Sequence, residues 1–174
     1  MTEPAASSDL PAPLLRAVEP GDAEALCRLA NLPAVRRGTL RIPFDTPGFW
    51  RERIAACGPD ATWIVAAVDG AVVGHGNLFA GTRPRVAHAG QILAMVVHDD
   101  FAGRGIGGAI LAALLDVADN WRGLKRLELD VFADNVPAIR LYERHGFAVE
   151  GRKVKAALTD GAYVDMLSMA RLRF

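Results

Sequence analysis

The feature that most constrains the fold is the stretch FAGRGIGGAI, Phe101 to Ile110, in which four of ten residues are glycine. Because glycine lacks a Cβ atom, the backbone can turn sharply there and approach an anion closely. A β-rich run precedes the stretch and ends at Val97. An amphipathic helix is expected to follow, from apolar residues at helical spacing: Ile106, Ile110, Leu111, Leu114, Leu115 and Ala118. A strand, a glycine turn and a helix N-terminus place free N–H groups around one small volume, which predicts a pyrophosphate site.

Turn signals and apolar periodicity predict the element order β, α, α, β, β, β, α, β, α, β, β from Leu14 to about Leu172. Asp69-Gly70 joins two β-rich runs and is the strongest hairpin signal of the chain. With the later run AGQILAMVVHD, this hairpin predicts an antiparallel meander of three strands. Asp160-Gly161 predicts a second hairpin near the end of the chain.

Helix signals lie on both sides of the predicted meander. Asp22 or Gly21 is the expected cap of the first helix, and a second helix is expected from about Pro47 to Cys57. The stretch between these two helices is predicted to be a loop. The last helix has Asn135 as its expected N-cap and Gly146 as its C-terminal stop.

Length and composition limit the classes of function. The 174 residues predict a lead-in without fixed structure over residues 1–13 and a single domain over residues 14–174. Twenty basic and twenty acidic residues give zero net charge, which disfavours binding to nucleic acid or to an anionic membrane. Cys27 and Cys57 form no C-x-x-C pair, so neither a disulfide framework nor a zinc site is expected. A cytoplasmic protein without a bound metal is the expectation.

The glycines fit two phosphate-binding patterns. Gly103, Gly105 and Gly108 match the dinucleotide fingerprint G-x-G-x-x-G, and Glu128 lies 20 residues further on. The segment HDDFA, however, separates the strand from the glycines, and an antiparallel meander precedes them, whereas a dinucleotide fold needs a βαβ unit there. Gly105 and Gly107 also match the second half of R/Q-x-x-G-x-G, the pattern of a coenzyme A loop, with Ala102 at its first position. A purely structural helix start is the third interpretation.

The segment LAMVVHDDFAGRGIG, followed by LELDVFADNVPAIRLYERHGF, resembles the central signature of the GNAT superfamily of acetyl-CoA-dependent N-acetyltransferases. The resemblance implies an α/β (α+β) fold, with a mixed, mostly antiparallel seven-stranded sheet, about four helices and splayed central strands. Further segments resemble the bacterial branch that acylates the α-amine of free L-amino acids, among them GTLRIPF, WRERI, RPRVAHAG and GAYVDMLSMAR.

The resemblance implies a binding site for acetyl-CoA. The strand before the glycine loop would bind the pantetheine arm through its backbone, and an N–H group there would stabilise the oxyanion. The loop would hold the pyrophosphate through its own N–H groups and so tolerate alanine at position 102. The residues implied are Met95, Val96, Val97, Ala102, Gly103, Arg104, Gly105, Ile106, Gly107, Gly108, Asn135, Ala138 and Tyr142.

The same resemblance gives Tyr142 the role of general acid toward the departing thiolate, and packing is its alternative role. Asn135 would bond the pantetheine amide or serve only as a cap. The position where many relatives carry a glutamate is Gln91, which cannot accept a proton at neutral pH. Candidates for the base or the amine site, each with a structural alternative, are His88, Glu128 and Asp130. His75 is expected to be structural.

The expected function is transfer of an acetyl group from acetyl-CoA to a small primary amine, most simply the α-amine of an L-amino acid. Leu40, Ile42 and Phe44 are apolar residues of a loop that would line the substrate site or pack on a neighbouring helix. The last strand, YVDMLSMARL, is apolar enough to allow a homodimer. The alternatives are acetylation of protein N-termini, lysines or polyamines, and a non-catalytic acyl-CoA sensor.

Overall fold

The computed structural model describes residues 12–174, so the expectation for residues 1–11 of the lead-in lies outside the described residues. These residues form one seven-stranded sheet in the order β1-β2-β3-β4-β5-β7-β6. The strands are β1 (Leu14–Ala17), β2 (Ala61–Val68), β3 (Ala71–Ala80), β4 (Ala89–Val97), β5 (Arg126–Phe132), β6 (Ala148–Thr159) and β7 (Ala162–Leu172). The α-helices are α1 (Ala23–Ala30), α2 (Pro33–Arg37), α3 (Pro47–Ala55), α4 (Ile106–Asp116) and α5 (Val136–Arg144).

The predicted hairpins and meander are confirmed. β2, β3 and β4 pair antiparallel in sequence order, and β6 pairs antiparallel with β7. At the first turn, Asp69 and Gly70 have φ of 49° and 79°, and at the last, Asp160 and Gly161 have φ of 48° and 81°. Two consecutive left-handed residues match the twist of the flanking strands, which explains the preference for Asp-Gly at both turns.

Two packed layers of helices cover the sheet. Strand β2 is buried on both faces from Trp63 to Val68. Its residues Ile64 and Ala66 belong to the core beneath α4 and α5. Trp63 and Val65 point to the opposite face, where α1 and α3 contribute Leu26, Trp50 and Ile54. The central strands are thereby fixed from both sides, as the apolar run TWIVAAV suggests.

The splay between the central strands is confirmed. β4 and β5 are the one parallel neighbouring pair in the sheet of residues 12–174, and they pair only over Ala89–Gln91 and Arg126–Glu128. Beyond Gln91 the two strands separate, and the sheet opens as a wedge.

A bulge in β4 lies within this wedge. Asn77 pairs with Leu93 and His75 with Val96, so two residues of β4 lie opposite Gly76 alone. One of the two, Ala94, has a left-handed φ of 53°. A Cβ atom on Gly76 would lie 2.5 Å from Met95 Sδ and 2.8 Å from Ile110 Cγ2, so only glycine allows β3, the bulge and α4 to approach this closely.

The number of helices differs from the prediction. Residues 12–174 contain five α-helices instead of about four, because α2 occupies part of the stretch predicted to be a loop. Pro33 starts this helix, and its Val35 is buried against Leu29 and Val96. Burial of one valine stabilises a five-residue helix whose isolated sequence is too short to be stable. No helix within residues 12–174 is long and apolar enough to span a membrane.

Candidate active site

A cavity of about 410 Å³ lies where β4 and β5 separate. Because both faces of the sheet contribute to it, α3 and α5 both reach it. From β4, β5 and α5 its walls contain Ile92, Leu93, Ala94, Met95, Val96, Asp130, Val131, Phe132, Asn135, Ala138 and Tyr142. From the other side they include Gly38, Thr39, Leu40, Arg41, Trp50, Arg53 and His75. A second cavity of about 390 Å³ adjoins it and shares Thr39, Leu40, Arg41 and Phe132.

The edge of β4 that faces the wedge has no strand partner among the described residues beyond Gln91. Met95 and Val96 line the cavity along this edge. Val97 lies just outside the lining, and its side chain is 3.6 Å from where a Cβ on Gly107 would stand. The structure thus brings Met95 to Val97 between the cavity and the glycine stretch. Backbone groups along such an edge are available to a bound ligand.

The glycine stretch forms an exposed loop that leads into α4. Gly103 and Gly105 have φ of 74° and 78°, and Gly105 is the N-cap of the helix. A Cβ on either would meet nothing within 4 Å, so glycine is required here by the backbone conformation and not by crowding. The first N–H groups of α4, from Ile106 onward, have no partner within the helix.

Ala102, which stands where the coenzyme A pattern has Arg or Gln, and Arg104, which adds a charge to the loop, are both exposed. Ala102 has an extended backbone, and its N–H donates to the Asp99 carbonyl at 2.9 Å. The Arg104 guanidinium lies 5.6 Å from the centre of the Phe101 ring. Arg104 is therefore placed to add positive charge near the loop, while Ala102 is not among the residues that line the cavity.

Asn135 has the predicted capping role. Its side-chain oxygen accepts from the Ala138 N–H at 3.2 Å, which is the N-cap bond of α5. The Asn135 amide nitrogen lies 3.7 Å from where a Cβ on Gly38 would stand, on the loop side of the cavity. Since the oxygen serves the cap, the NH₂ group remains free to donate to a ligand.

Tyr142 lies one helical turn after Ala138 and lines the cavity. Its ring is buried and packs edge-on against Phe147, with 5.9 Å between ring centres. Burial raises the pKa of the Tyr142 hydroxyl to about 12. The group therefore carries its proton throughout the neutral range and can act as a donor.

Of the three residues considered as a base, only Asp130 lies in the cavity wall. His88 is exposed at the start of β4, the end opposite Met95, and Glu128 accepts from Arg126 Nε at 2.5 Å outside the lining. The separation of β4 and β5 begins only after Gln91, so residues at the paired end of these strands do not reach the wedge. This placement gives no support to a base role for His88 or Glu128.

Asp130 is engaged by two neighbours. Lys153 Nζ donates to its carboxylate at 2.7 and 2.9 Å, and Ser168 Oγ donates at 2.7 Å. Burial tends to raise the pKa of Asp130, but the bonds from Lys153 and Ser168 outweigh it and hold the pKa below the ordinary value. Asp130 is thus an ionised carboxylate that attracts cations and is a weak base.

The three apolar loop residues are all exposed, and they differ in their relation to the cavities. Leu40 borders both cavities and Ile42 lines the adjoining one. Phe44 lines neither, and its N–H donates to Asn31 Oδ1 at 3.0 Å. The loop therefore brings two of its three apolar residues to the cavities.

The sequence did not single out the polar residues on the α3 side of the cavity. Trp50 and Arg53, one turn apart in the segment WRERI, both face the cavity together with His75 of β3. His75 is fully buried, and its Nδ1 has no hydrogen-bond partner. Burial lowers the pKa of His75 to about 4, so its ring is neutral at pH 7. The spacing of Trp50 and Arg53 on one helical face was the signal that could have found them.

No group of three or more His, Cys, Asp or Glu side chains that could hold a metal ion occurs in the part of the chain that the structure describes.

His75 should make the folded state sensitive to acid. Its pKa of about 4 lies below the ordinary value of 6.5, so the unfolded chain binds the proton more strongly. The folded state suffers no penalty above pH 6.5, and it loses stability as the pH falls from 6.5 to 4. At about 1.36 kcal/mol per pH unit, the full loss is roughly 3 kcal/mol.

Urea denaturation at about pH 7.5 and about pH 4.5 measures this loss. We expect wild type to lose roughly 2 to 3 kcal/mol more than His75→Gln between the two conditions. His88→Gln, which removes an exposed histidine, should behave as wild type does. Equal losses in wild type and His75→Gln would contradict the burial of a neutral ring.

Comparison with known proteins agrees with this geometry. Residues 26–147 match the model of the acetyltransferase (GNAT) family. The chain is 37% identical to the L-amino acid N-acetyltransferase AaaT of Escherichia coli over 92% of this chain and 98% of that protein. A GNAT-family acetyltransferase of Streptococcus pneumoniae superposes with a TM-score of 0.79 at 26% identity, covering 92% of this chain and 99% of that one. A phosphinothricin acetyltransferase of Sinorhizobium meliloti, solved in complex with AcCoA, shares the fold with a TM-score of 0.83 at 18% identity, over 94% of this chain and 89% of that one. The chain therefore belongs to the acetyltransferase (GNAT) family, whose members are N-acetyltransferases.

Proposed function

We propose that this protein transfers an acetyl group from acetyl-CoA to the α-amine of a free L-amino acid, by direct attack in a ternary complex. The observation that carries the proposal is the single cavity that joins the free edge of β4 to the polar residues of α3. An acyl donor bound along β4 and a small acceptor bound near α3 would meet within it. The likeness to the E. coli L-amino acid N-acetyltransferase over nearly the whole of both chains supports the acceptor.

The coenzyme fits the residues present. The free edge of β4 from Met95 to Val97 offers N–H and C=O groups to a pantetheine arm. The N–H groups of residues 103–108 and the N-terminal end of the α4 dipole would hold a pyrophosphate. The Asn135 NH₂ would donate to a pantetheine amide, and Ala138 lines the same wall. Acetyl-CoA supplies an activated thioester, and a β4 N–H group would stabilise the oxyanion that forms on attack.

We assign Tyr142 as the proton donor to the departing thiolate, and the proton that the attacking nitrogen loses as the amide forms would restore the Tyr142 hydroxyl. The pKa of the Tyr142 hydroxyl is about 12 and that of an ordinary thiol is about 8.5. Complete proton transfer from Tyr142 to such a thiolate would therefore be uphill by roughly 5 kcal/mol. The same burial, however, raises the pKa of any thiol held in the cavity, since it destabilises the thiolate as well. Burial therefore raises the pKa of the Tyr142 hydroxyl and that of the thiol alike. A hydrogen bond from Tyr142 stabilises the thiolate as it forms.

Asp130 is the residue that we propose for contact with the acceptor ammonium. Its carboxylate is ionised, lines the cavity and attracts a cation. Its lowered pKa makes it a poor final proton acceptor, so we infer that the ammonium loses its proton to water beside Asp130 before attack. Leu40 would contact the side chain of an apolar amino acid at the cavity rim.

Release of free thiol from acetyl-CoA tests the proposal with a panel of acceptors: the twenty L-amino acids, a polyamine, a peptide with a free N-terminus and a peptide with an internal lysine. We expect turnover with free amino acids and at least about tenfold lower kcat/KM with the other acceptors. Preference for a peptide would favour the alternative of protein acetylation. Tight coenzyme binding without turnover of any amine would favour a sensor and overturn the enzymatic proposal.

Tyr142→Phe removes the hydroxyl and keeps the buried ring. We expect kcat to fall about 10²-fold, because proton donation to the leaving group is lost, while KM for acetyl-CoA changes less than about threefold. Tyr163→Phe, at an exposed position of β7, is the matched control and should leave both constants unchanged. A Tyr142→Phe enzyme with wild-type kcat would remove Tyr142 from the role of acid.

The glycine loop should depend on backbone conformation and not on the side chain at position 102. Gly105→Ala forces a side chain into a left-handed backbone and should raise KM for acetyl-CoA at least about tenfold. Ala102→Gln restores the usual pattern and should change this KM less than about threefold. Gly161→Ala, which has the same left-handed strain in the last hairpin, controls for stability and should leave the KM unchanged. A large effect of Ala102→Gln would contradict binding through the backbone.

We also propose a single catalytic domain over residues 14–174, a cytoplasmic location and a homodimer formed through the last two strands. Strand β6 is exposed along nearly its whole length, including Val149 and Val154, and Leu172 of β7 is 56% exposed. Exposed apolar residues on these two strands at the edge of the sheet support such an interface. Sedimentation equilibrium would show twice the chain mass of 18.6 kDa for a dimer, and the chain mass itself would contradict one.

A further inference from the structure

Three charged side chains line the cavity besides the neutral His75, and they differ in their partners. Arg41 donates to both carboxylate oxygens of Asp45, with Nη2 at 2.6 Å from Oδ1 and from Oδ2 and Nε at 3.0 Å from Oδ2. Asp130 is bonded to Lys153. Arg53 forms no ion pair and no side-chain hydrogen bond with any residue from 12 to 174. It is therefore the one lining charge of the described cavity that takes part in no ion pair.

The position of Arg53 is set by aromatic rings. Its guanidinium carbon lies 5.5 Å from the ring centre of Phe49, 6.0 Å from Trp50 and 5.6 Å from Trp63. These rings stabilise a cation through their faces but accept no in-plane hydrogen bond. The Arg53 Nε is buried and has no hydrogen-bond acceptor. The rings thus orient the planar group and leave its donors free for a ligand.

Three other side chains on the α3 face of the sheet also have a buried polar atom without a partner, and of these His75 lines the cavity together with Arg53. We call Arg53, Trp63, His75 and Asn77 the α3 polar cluster: within residues 12–174, the buried side-chain atoms without partners are one from each of them. Trp63 pairs with Asn77 across β2 and β3, and the His75 ring packs edge-on against Trp50 at 5.6 Å. Buried polar groups in folded proteins are nearly always satisfied, so the unpartnered atoms of Arg53 and His75 at the cavity wall indicate a place where a polar ligand or its water binds.

A carboxylate is the ligand that this chemistry fits. The arginine fork donates two parallel hydrogen bonds to a carboxylate, and its positive charge offsets the negative one. In an α-amino acid the carboxylate and the amine are attached to the same carbon. A carboxylate at Arg53 would therefore hold the amine in the cavity that Ala94, Met95 and Tyr142 also line.

We propose that Arg53 binds the carboxylate of the acceptor and makes the cavity selective for amines that carry an adjacent carboxylate. This inference rests on the proposed transfer to a free amino acid. It also predicts which acceptors fail. A polyamine would bring a second positive charge toward Arg53, and neither the side-chain amine of a peptide-bound lysine nor a residue with a peptide bond at its carboxyl end has an adjacent carboxylate to offer.

The experiment compares three acceptors with the same side chain: the L-amino acid turned over fastest in the panel, its carboxamide and its decarboxylated amine. We expect wild type to favour the amino acid at least about tenfold in kcat/KM, the usual worth of a bond to a charged group. Arg53→Gln should raise KM for the amino acid about tenfold or more and change the constants for the other two less than about threefold. Arg53→Lys should restore part of the loss, because it keeps the charge without the fork.

Arg51→Gln is the matched control, since Arg51 lies on the same helix, is 58% exposed and pairs with Glu24. It should leave all three acceptors unchanged. The melting temperature separates binding from folding: removal of an uncompensated charge at position 53 should not lower it, whereas loss of a structural arginine would. A lowered melting temperature with equal losses for amino acid and carboxamide would overturn the proposal.

The two proposals fail in different ways. If the carboxamide is turned over as well as the amino acid by wild type, acetyl transfer stands and the carboxylate site is wrong. If no amine is turned over, the intrinsic tryptophan fluorescence, to which Trp50 and Trp63 contribute, is followed as L-leucine or L-leucinamide is titrated into protein saturated with coenzyme A. Saturable binding of L-leucine alone, lost in Arg53→Gln, would support the carboxylate site without catalysis, and equal or absent responses would overturn it.

Discussion

The separation of β4 from β5 after three paired residues is the constraint on which the site depends. It exposes one edge of β4, brings α5 and α3 to a common cavity and points β4 toward the glycine loop. The bulge at Ala94 and the close packing of Gly76 against Met95 and Ile110 fix the course of β4 at this point. A regular sheet here would satisfy the backbone of β4 and leave no place for a ligand between the strands.

The site also carries polar groups that oppose stability. Each buried atom without a partner in the α3 polar cluster costs about 1–3 kcal/mol in the free protein. The neutral His75 and the desolvated Tyr142 have displaced pKa values for the same reason, burial. Groups of this kind concentrate where a protein binds or transforms a ligand, since folding alone would select against them. Apolar residues elsewhere in the core compensate, among them the fully buried Leu78, Ile110 and Leu114.

Much of the fold was predictable because its signals are local. The Asp-Gly pairs fix both hairpins, Asn135 fixes the start of α5, and the glycines fix the entry to α4. Helix α2 was not predictable, because its formation depends on the burial of Val35 against Val96, far along the chain. The bulge at Ala94 has no sequence signal either, since alanine is an unusual residue for a left-handed backbone and the partner that demands it, Gly76, lies in another strand.

The coenzyme side of the site follows from one continuous segment and is visible as a motif, whereas the acceptor side is assembled from α3, β3 and the loop before α3. Sequence reasoning therefore proposed the residues near the glycines, overlooked Arg53 and gave His75 a structural role only. It also proposed His88 and Glu128 as candidates for the base or the amine site. The sequence indicates that both lie on or next to β4 and β5, but it does not indicate where along their length these strands separate.

The wedge divides the sheet into a four-stranded and a three-stranded half, joined by only three residue pairs. One apolar core underlies both halves, with Ile92 from the first and Leu129 and Phe147 from the second. Apolar contacts have no preferred direction, so they hold the halves together without fixing the angle between them as a hydrogen-bonded ladder would. The aperture of the cavity is consequently set by the volume of side chains packed beneath it. In most folds, substitutions that change the size of core residues change the stability. In this protein they would change the distance between a bound acyl donor and the acceptor.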